Sequence, residues 1–245
     1  MFHREDIVRI TNPEGCRKCL IIPGFLQYPD FYEDEVVGLP YKYVDVVDLR
    51  WNDKEMIRDK MQIQFIEGLY LHIRKENYDT IFVHGISDSI VCKLQLFGEI
   101  TTPIVYMSPY CIAEEERERQ YNKLCLYLRF RRYIPVKLQI LLFNRALLTD
   151  DDYYSLYLLN VMREMSGLKI LRRFEDSLVS IEQTQLLSGT FIYGEDDNYS
   201  WYGDDDIVIK YAGHYPMHEE FSKTMHMAEK ALISLYKDER KFMHA

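Results

Sequence analysis

Thr80-Ile81-Phe82-Val83-His84-Gly85-Ile86-Ser87-Asp88-Ser89-Ile90 is the stretch on which the fold turns. Residues 80–84 run without a polar alternation, which predicts a strand covered on both faces, as in the middle of a parallel sheet. Gly85 ends it. From about residue 87 to 96 the apolar positions take helical spacing. A buried strand that passes through a glycine turn into a helix is part of an α/β unit, so similar units are expected on either side.

They are found in both directions. Upstream, residues 6–11, 18–22 and 43–49 read as strands, the first two separated by the turn Asn12-Pro13-Glu14-Gly15. Residues 53–74 carry an apolar stripe at helical spacing, with Asp53 in place as an N-cap. Downstream, 103–107 is a further strand. The alternation then stops: helical stretches dominate from 112 to about 188, rich in Leu, Tyr and Arg. It resumes with strands at 190–193 and 206–210 and a last helix over 218–236. The expected architecture is therefore α/β, a mostly parallel central sheet with helices on both faces. Residues 1–111 and 189–245 form the core and 112–188 an inserted helical cap.

Composition narrows the function classes. Thirty Lys and Arg against 39 Asp and Glu leave a net charge of −9, which offers no overall field for a phosphate backbone or an anionic membrane surface. Nucleic acid is excluded as a partner on that ground. No apolar run approaches the roughly 18 residues of a membrane span. Five cysteines, an odd number, fit reduced thiols and a cytoplasmic location. Cys16-Arg17-Lys18-Cys19 is a lone pair with no second pair to complete a metal site. H-E-x-x-H, the P-loop and G-x-G-x-x-G are all missing, so neither a metal nor a cofactor is expected.

Ligands of open α/β sheets bind beyond the carboxyl ends of the strands, and three strand ends carry reactive residues. Gly85-Ile86-Ser87-Asp88-Ser89 places a serine between small residues in a strand-to-helix turn. Gly194-Glu195-Asp196-Asp197 follows the next-to-last strand, and Gly213-His214-Tyr215-Pro216 follows the last. Each has a plainer reading. Ser87 suits a helix N-cap, the two aspartates suit a turn, and His214 suits a core or surface position. His84 is assigned to strand packing. Arg129, Arg131, Arg132 and Lys137 form a basic cluster, read as a solvated face or as a contact for an acidic substrate group or carrier.

Together these segments resemble the α/β-hydrolase superfamily over about residues 6–240. Pro23-Gly24-Phe25 is similar to its His-Gly-x loop, residues 85–89 to its nucleophile elbow, 194–197 to its acid turn and 213–216 to its histidine segment. The chain order serine, acid, histidine is also the same. The resemblance implies Ser87 as nucleophile, His214 as base and Asp197, or its neighbour Asp196, as orienting acid. It implies the backbone N–H groups of Phe25 and Asp88 as the oxyanion hole. The expected function is hydrolysis of an ester or thioester through an acyl-enzyme, on a small-molecule acyl substrate that is free or carrier-bound. The alternatives are a non-catalytic binding member of the fold, or a C–C hydrolase or acyltransferase with the same triad.

Overall fold

The structure is a computed structural model that describes residues 2–34, 36, 39–51, 59–109, 114–147, 152–177, 187–197, 206–214 and 221–242. Among them, seven strands form one sheet: β1 (Ile7–Thr11), β2 (Arg17–Ile22), β3 (Tyr41–Val47), β4 (Thr80–His84), β5 (Ile104–Met107), β6 (Thr190–Gly194) and β7 (Ile207–Ile209). Their order is β1-β3-β2-β4-β5-β6-β7. Only β1 runs antiparallel, against β3; all other neighbours are parallel. Each expected strand is present with its ends within two residues of the sequence reading.

The period-2 geometry of a strand sends successive side chains to opposite faces, and here it divides the apolar residues between two cores. Leu20 and Ile22 of β2, Ile81 and Val83 of β4, and Ile104 and Tyr106 of β5 face one of them. Cys19, Ile21, Phe82, Val105 and Met107, their neighbours in sequence, face the other. Helix α1 (Asp59–Glu76) covers the first face with Phe65, Leu69 and Ile73, one residue per turn, and α2 (Asp88–Gln95) adds Val91 and Leu94. The final helix, here α7 (Phe221–Phe242), covers the second with Met225, Ala228 and Leu232. Each fully buried side chain of this kind contributes roughly 1.5–3 kcal/mol, so the central strands form a rigid platform. The beginning of the 53–74 helix with its Asp53 cap, and the start of the last helix, lie outside the described residues.

At the β1 edge, the fully buried Asp45 is held by two hydrogen bonds from the Arg9 guanidinium, at 2.6 and 2.8 Å, and one from Tyr78 OH at 2.7 Å. Burial pushes its carboxyl pKa up, but Arg9, Tyr78 and Lys18 outweigh it and hold the group below the usual carboxylate range.

Between β5 and β6 the chain leaves the sheet for four helices: α3 (Glu114–Phe130), α4 (Val136–Leu147), α5 (Asp152–Glu164) and α6 (Gly167–Ser177). This cap sits on the loop that follows β2. Tyr157 OH accepts a hydrogen bond from Tyr28 N–H at 3.0 Å and donates one to Asp30 at 3.1 Å. Phe174 packs edge-on against Phe25, which packs edge-on against Trp51. Arg131 donates to the Met162 and Met165 carbonyls at 2.7 and 2.9 Å, tying the end of α3 to the end of α5. Among the described residues no helix is long and apolar enough to cross a membrane.

Candidate active site

The acid and the histidine meet because two loops pack backbone to backbone. A Cβ on Gly194 would lie 2.0 Å from Gly213 O and 2.3 Å from Ala212 O, so only glycine permits the approach. Glu195 N–H donates to Ile209 O and Asp196 N–H to Ala212 O, at 2.9 and 3.0 Å. The result sets Asp197, its side chain fully buried, against His214, whose side chain is 12% exposed. His214 Nδ1 lies 3.2 and 3.1 Å from the two carboxylate oxygens of Asp197. A carboxylate only accepts, so Nδ1 carries the proton and Nε2 presents its lone pair. Asp196 is exposed. Most of the connection between acid and histidine, residues 198–205, lies outside the described residues.

The serine is elsewhere. Ser87 is buried, has right-handed helical backbone angles (φ −75°, ψ −1°) and directs its hydroxyl to Pro23 O. Among the described residues that carbonyl is its only partner, and the side chain does not cap α2 either. A nucleophile elbow places its nucleophile at the apex of a strained strand-to-helix turn, and the residue there is Gly85. It is the first after β4, its φ is +54°, and a Cβ built on it would lie 3.4 Å from His214 Nε2. The expectation of Ser87 as nucleophile is therefore corrected. In the observed register Ser87 is the small residue two positions past the apex, and the apex has no side chain.

The oxyanion-hole expectation changes with it. Asp88 N–H is already engaged with the carbonyls of Gly85 and Ile86 as the turn closes into α2, so it has nothing to offer a ligand. Counting from the observed apex, the N–H that follows it belongs to Ile86. Phe25 remains in the loop after β2, on the wall of the same cavity.

That cavity has a volume of about 680 Å³. Gly24, Phe25, His84, Gly85, Ile86 and His214 line its sheet end, and Leu124, Tyr127, Phe130 and Phe143 of the cap line the other. Gln27 also belongs to the sheet end, and it is joined there to His84. Gln27 is fully buried, and its Oε1 accepts from Gly24 N–H and Tyr32 OH, both at 2.6 Å, and from His84 Nδ1 at 2.8 Å. Three donors on one oxygen fix the amide's orientation and leave Nε2 buried and, among the described residues, without a hydrogen-bond partner. His84, buried, also lies 3.3 Å from His214 O through Nε2. It thus sits between the β2 loop, which its Nδ1–H holds through Gln27, and the loop that carries His214, a place its position in a strand did not suggest. Gln27 and His84 are 57 positions apart in the chain, and neither had a sequence signal. Among the described residues no three His, Cys, Asp or Glu side chains gather as metal ligands.

No protein-family model and no curated protein matches the sequence. Solved structures do match. An esterase from Exiguobacterium antarcticum superposes with a TM-score of 0.67 at 10% identity, over 92% of this chain and 94% of the other. A thermophilic esterase from Thermogutta terrifontis gives 0.65 at 12%, over 93% and 92%. A serine-to-glycine variant of an N-acyl homoserine lactonase, complexed with N-hexanoyl homoserine lactone, gives 0.59 at 13%, over 95% and 94%. At this identity the likeness is one of fold: the chain has the α/β-hydrolase fold.

Proposed function

We propose that this protein hydrolyses an ester, thioester or lactone bound beneath the cap, with His214 and Asp197 activating water directly and no acyl-enzyme forming. One observation carries the reading. A histidine whose Nδ1 is engaged by a buried carboxylate aims Nε2 at the place where the apex side chain of Gly85 would stand. Gly85 and His214 both line the cavity, so a water entering it can reach Nε2.

The Nε2 lone pair takes a proton from that water as its oxygen attacks the substrate carbonyl carbon. The C=O electron pair moves to the oxygen, which accepts hydrogen bonds from the N–H groups of Phe25 and Ile86. On collapse the bond to the leaving group breaks with its electron pair, and the imidazolium returns its proton there. Asp197 fixes the tautomer and stabilises the imidazolium between these steps. A positioned general base contributes typically ~10²–10⁴ in rate and each oxyanion donor ~10²–10³. This chemistry uses no cofactor. The apolar cap lining suits an acyl chain, and the volume falls within the ~300–1,000 Å³ usual for small ligands. The esterases and the lactonase of similar fold support the same bond class.

The missing apex hydroxyl also favours a second reading, a binding protein that holds an acyl ligand without cleaving it. Turnover of p-nitrophenyl esters and N-acyl lactones decides between them, measured for the wild type and His214→Ala after treatment with a fluorophosphonate. Hydrolysis that survives the fluorophosphonate and falls ~10²-fold or more in His214→Ala supports the water mechanism. A fluorophosphonate adduct on a serine, with loss of turnover, overturns it. Absent turnover combined with saturable binding of the same ligands establishes the second reading.

A further inference from the structure

We infer that the cap docks on anionic lipid surfaces through the turn between α3 and α4, with the cavity opening onto the bilayer. The charge of the chain is segregated. From Arg119 to Thr149 the sequence holds seven Lys and Arg and no Asp or Glu, in a protein whose net charge is −9. That overall balance argued against an anionic membrane, and the placement of the charges reverses the argument for this one face.

The same segment carries apolar side chains that the fold leaves uncovered. Leu138, Leu141 and Leu142 lie on one stripe of α4 and are 46%, 61% and 45% exposed. Phe130, Tyr133 and Val136 extend the stripe across the turn, and Tyr133 is 83% exposed. Arg129, Arg132 and Lys137 are exposed beside them, with no carboxylate partner among the described residues. Arg131 stands apart, being used inside the cap. Large apolar side chains at the tip of a basic helical hairpin match the interfacial pattern, in which the apolar groups enter the acyl boundary and the cations stay at headgroup level.

The cavity adds an independent observation. Leu126, Phe130 and Leu142 are exposed and also line it, so the cavity opens through the apolar face. An acyl ligand dissolved in a bilayer would enter there without crossing water. An acidic soluble protein would satisfy the cations but would leave the stripe of leucines with nothing to bury it, which is why lipid is the occupant favoured. Docking does not depend on whether His214 turns the ligand over.

The test is co-sedimentation of the full-length protein with phosphatidylcholine vesicles, with and without phosphatidylglycerol. Binding is expected only to the phosphatidylglycerol vesicles, and it should weaken with added salt. It should fall at least about tenfold both in Arg129→Glu/Arg132→Glu/Lys137→Glu and in Leu138→Ser/Leu141→Ser, whose side chains do not line the cavity. His214→Ala should bind vesicles as the wild type does, whatever it does to turnover. Failure of the wild type to bind phosphatidylglycerol vesicles overturns the inference. So does binding that ignores the leucine substitutions, which would be charge attraction without insertion. Self-association that is abolished by the leucine substitutions, without lipid binding, assigns the face to a second copy of the chain instead.

Discussion

The two halves of the site were built from the same kind of sequence signal and came out differently. On the side of β6 and β7, the aspartate and histidine picked out at the strand ends are hydrogen-bonded to each other. On the side of β4, the serine picked out at the strand end is turned to Pro23, and a glycine holds the apex. The difference lies in what each half requires. A carboxylate and an imidazole need only be delivered to the same place by loops that pack, and side chains of that length tolerate a residue of slack. A nucleophile elbow is a statement about one backbone dihedral, and a pattern of small residues does not report it. Gly85-Ile86-Ser87 can be read in two registers: one with serine at the apex and glycine as its small neighbour, the other with the roles exchanged and Val83 where a small residue is usual. The φ of +54° at Gly85, the helical angles of Ser87 and the place of His214 Nε2 beside Gly85 separate them.

Four substitutions break or sharpen this contrast. The largest effect is expected for His214→Ala, which removes the base and should lower turnover by ~10²–10⁴ with the fold intact; ester hydrolysis with a circular dichroism control measures it. Next is Gly85→Ser. A Cβ there meets His214 Nε2 at 3.4 Å, ordinary contact, so the variant should acquire fluorophosphonate reactivity that the wild type lacks. It should lose about 1–3 kcal/mol of stability to the positive φ, read by urea unfolding beside mass spectrometry of the adduct. A variant that stays unlabelled although folded would sink the assignment of Gly85 as the apex. Third, Ser87→Ala should leave the rate of any hydrolysis within about twofold and cost ~1–3 kcal/mol, because the buried Pro23 carbonyl loses its donor. An activity loss of the size seen in His214→Ala would restore Ser87 to the chemistry.

The smallest effect lies far from the site and serves as its control. Asp45 has a carboxyl pKa below the usual value in the folded protein, so the unfolded chain binds its proton first as the pH falls. Its contribution to stability is therefore complete above the ordinary carboxylate range, near pH 4, and is lost as the pH drops through the lower, folded value. Asp45→Asn should flatten that acid limb of the stability curve and leave turnover at neutral pH unchanged, as read by denaturant unfolding across pH.

Most of the architecture was legible because its cause is local. Residues 80–84 and 104–107 have no polar face, so they can only be interior strands. The alternating assignment of Leu20, Ile21 and Ile22 to two cores follows from the strand period alone. The four helices between β5 and β6 were legible as an interruption of that alternation. What was not legible depends on contacts between distant segments. Asp88 resembled an oxyanion donor until its N–H was seen to close the turn into α2. Gln27 and His84 carried no signal because each acquires its role only from the other, across the gap between β2 and β4. Net charge hides the basic stretch from Arg119 to Thr149 for a related reason: it averages over the whole chain.

The glycine at the apex also bears on the chain's history. A glycine codon ending in a pyrimidine becomes a serine codon by a single G-to-A change, and the turn that such a serine would occupy is already folded, with its imidazole and carboxylate in place. Counted in nucleotides rather than in ångströms, a covalent hydrolase is one of this molecule's nearest neighbours. What stands against that step is the strain of a side chain at the positive φ of Gly85, about 1–3 kcal/mol.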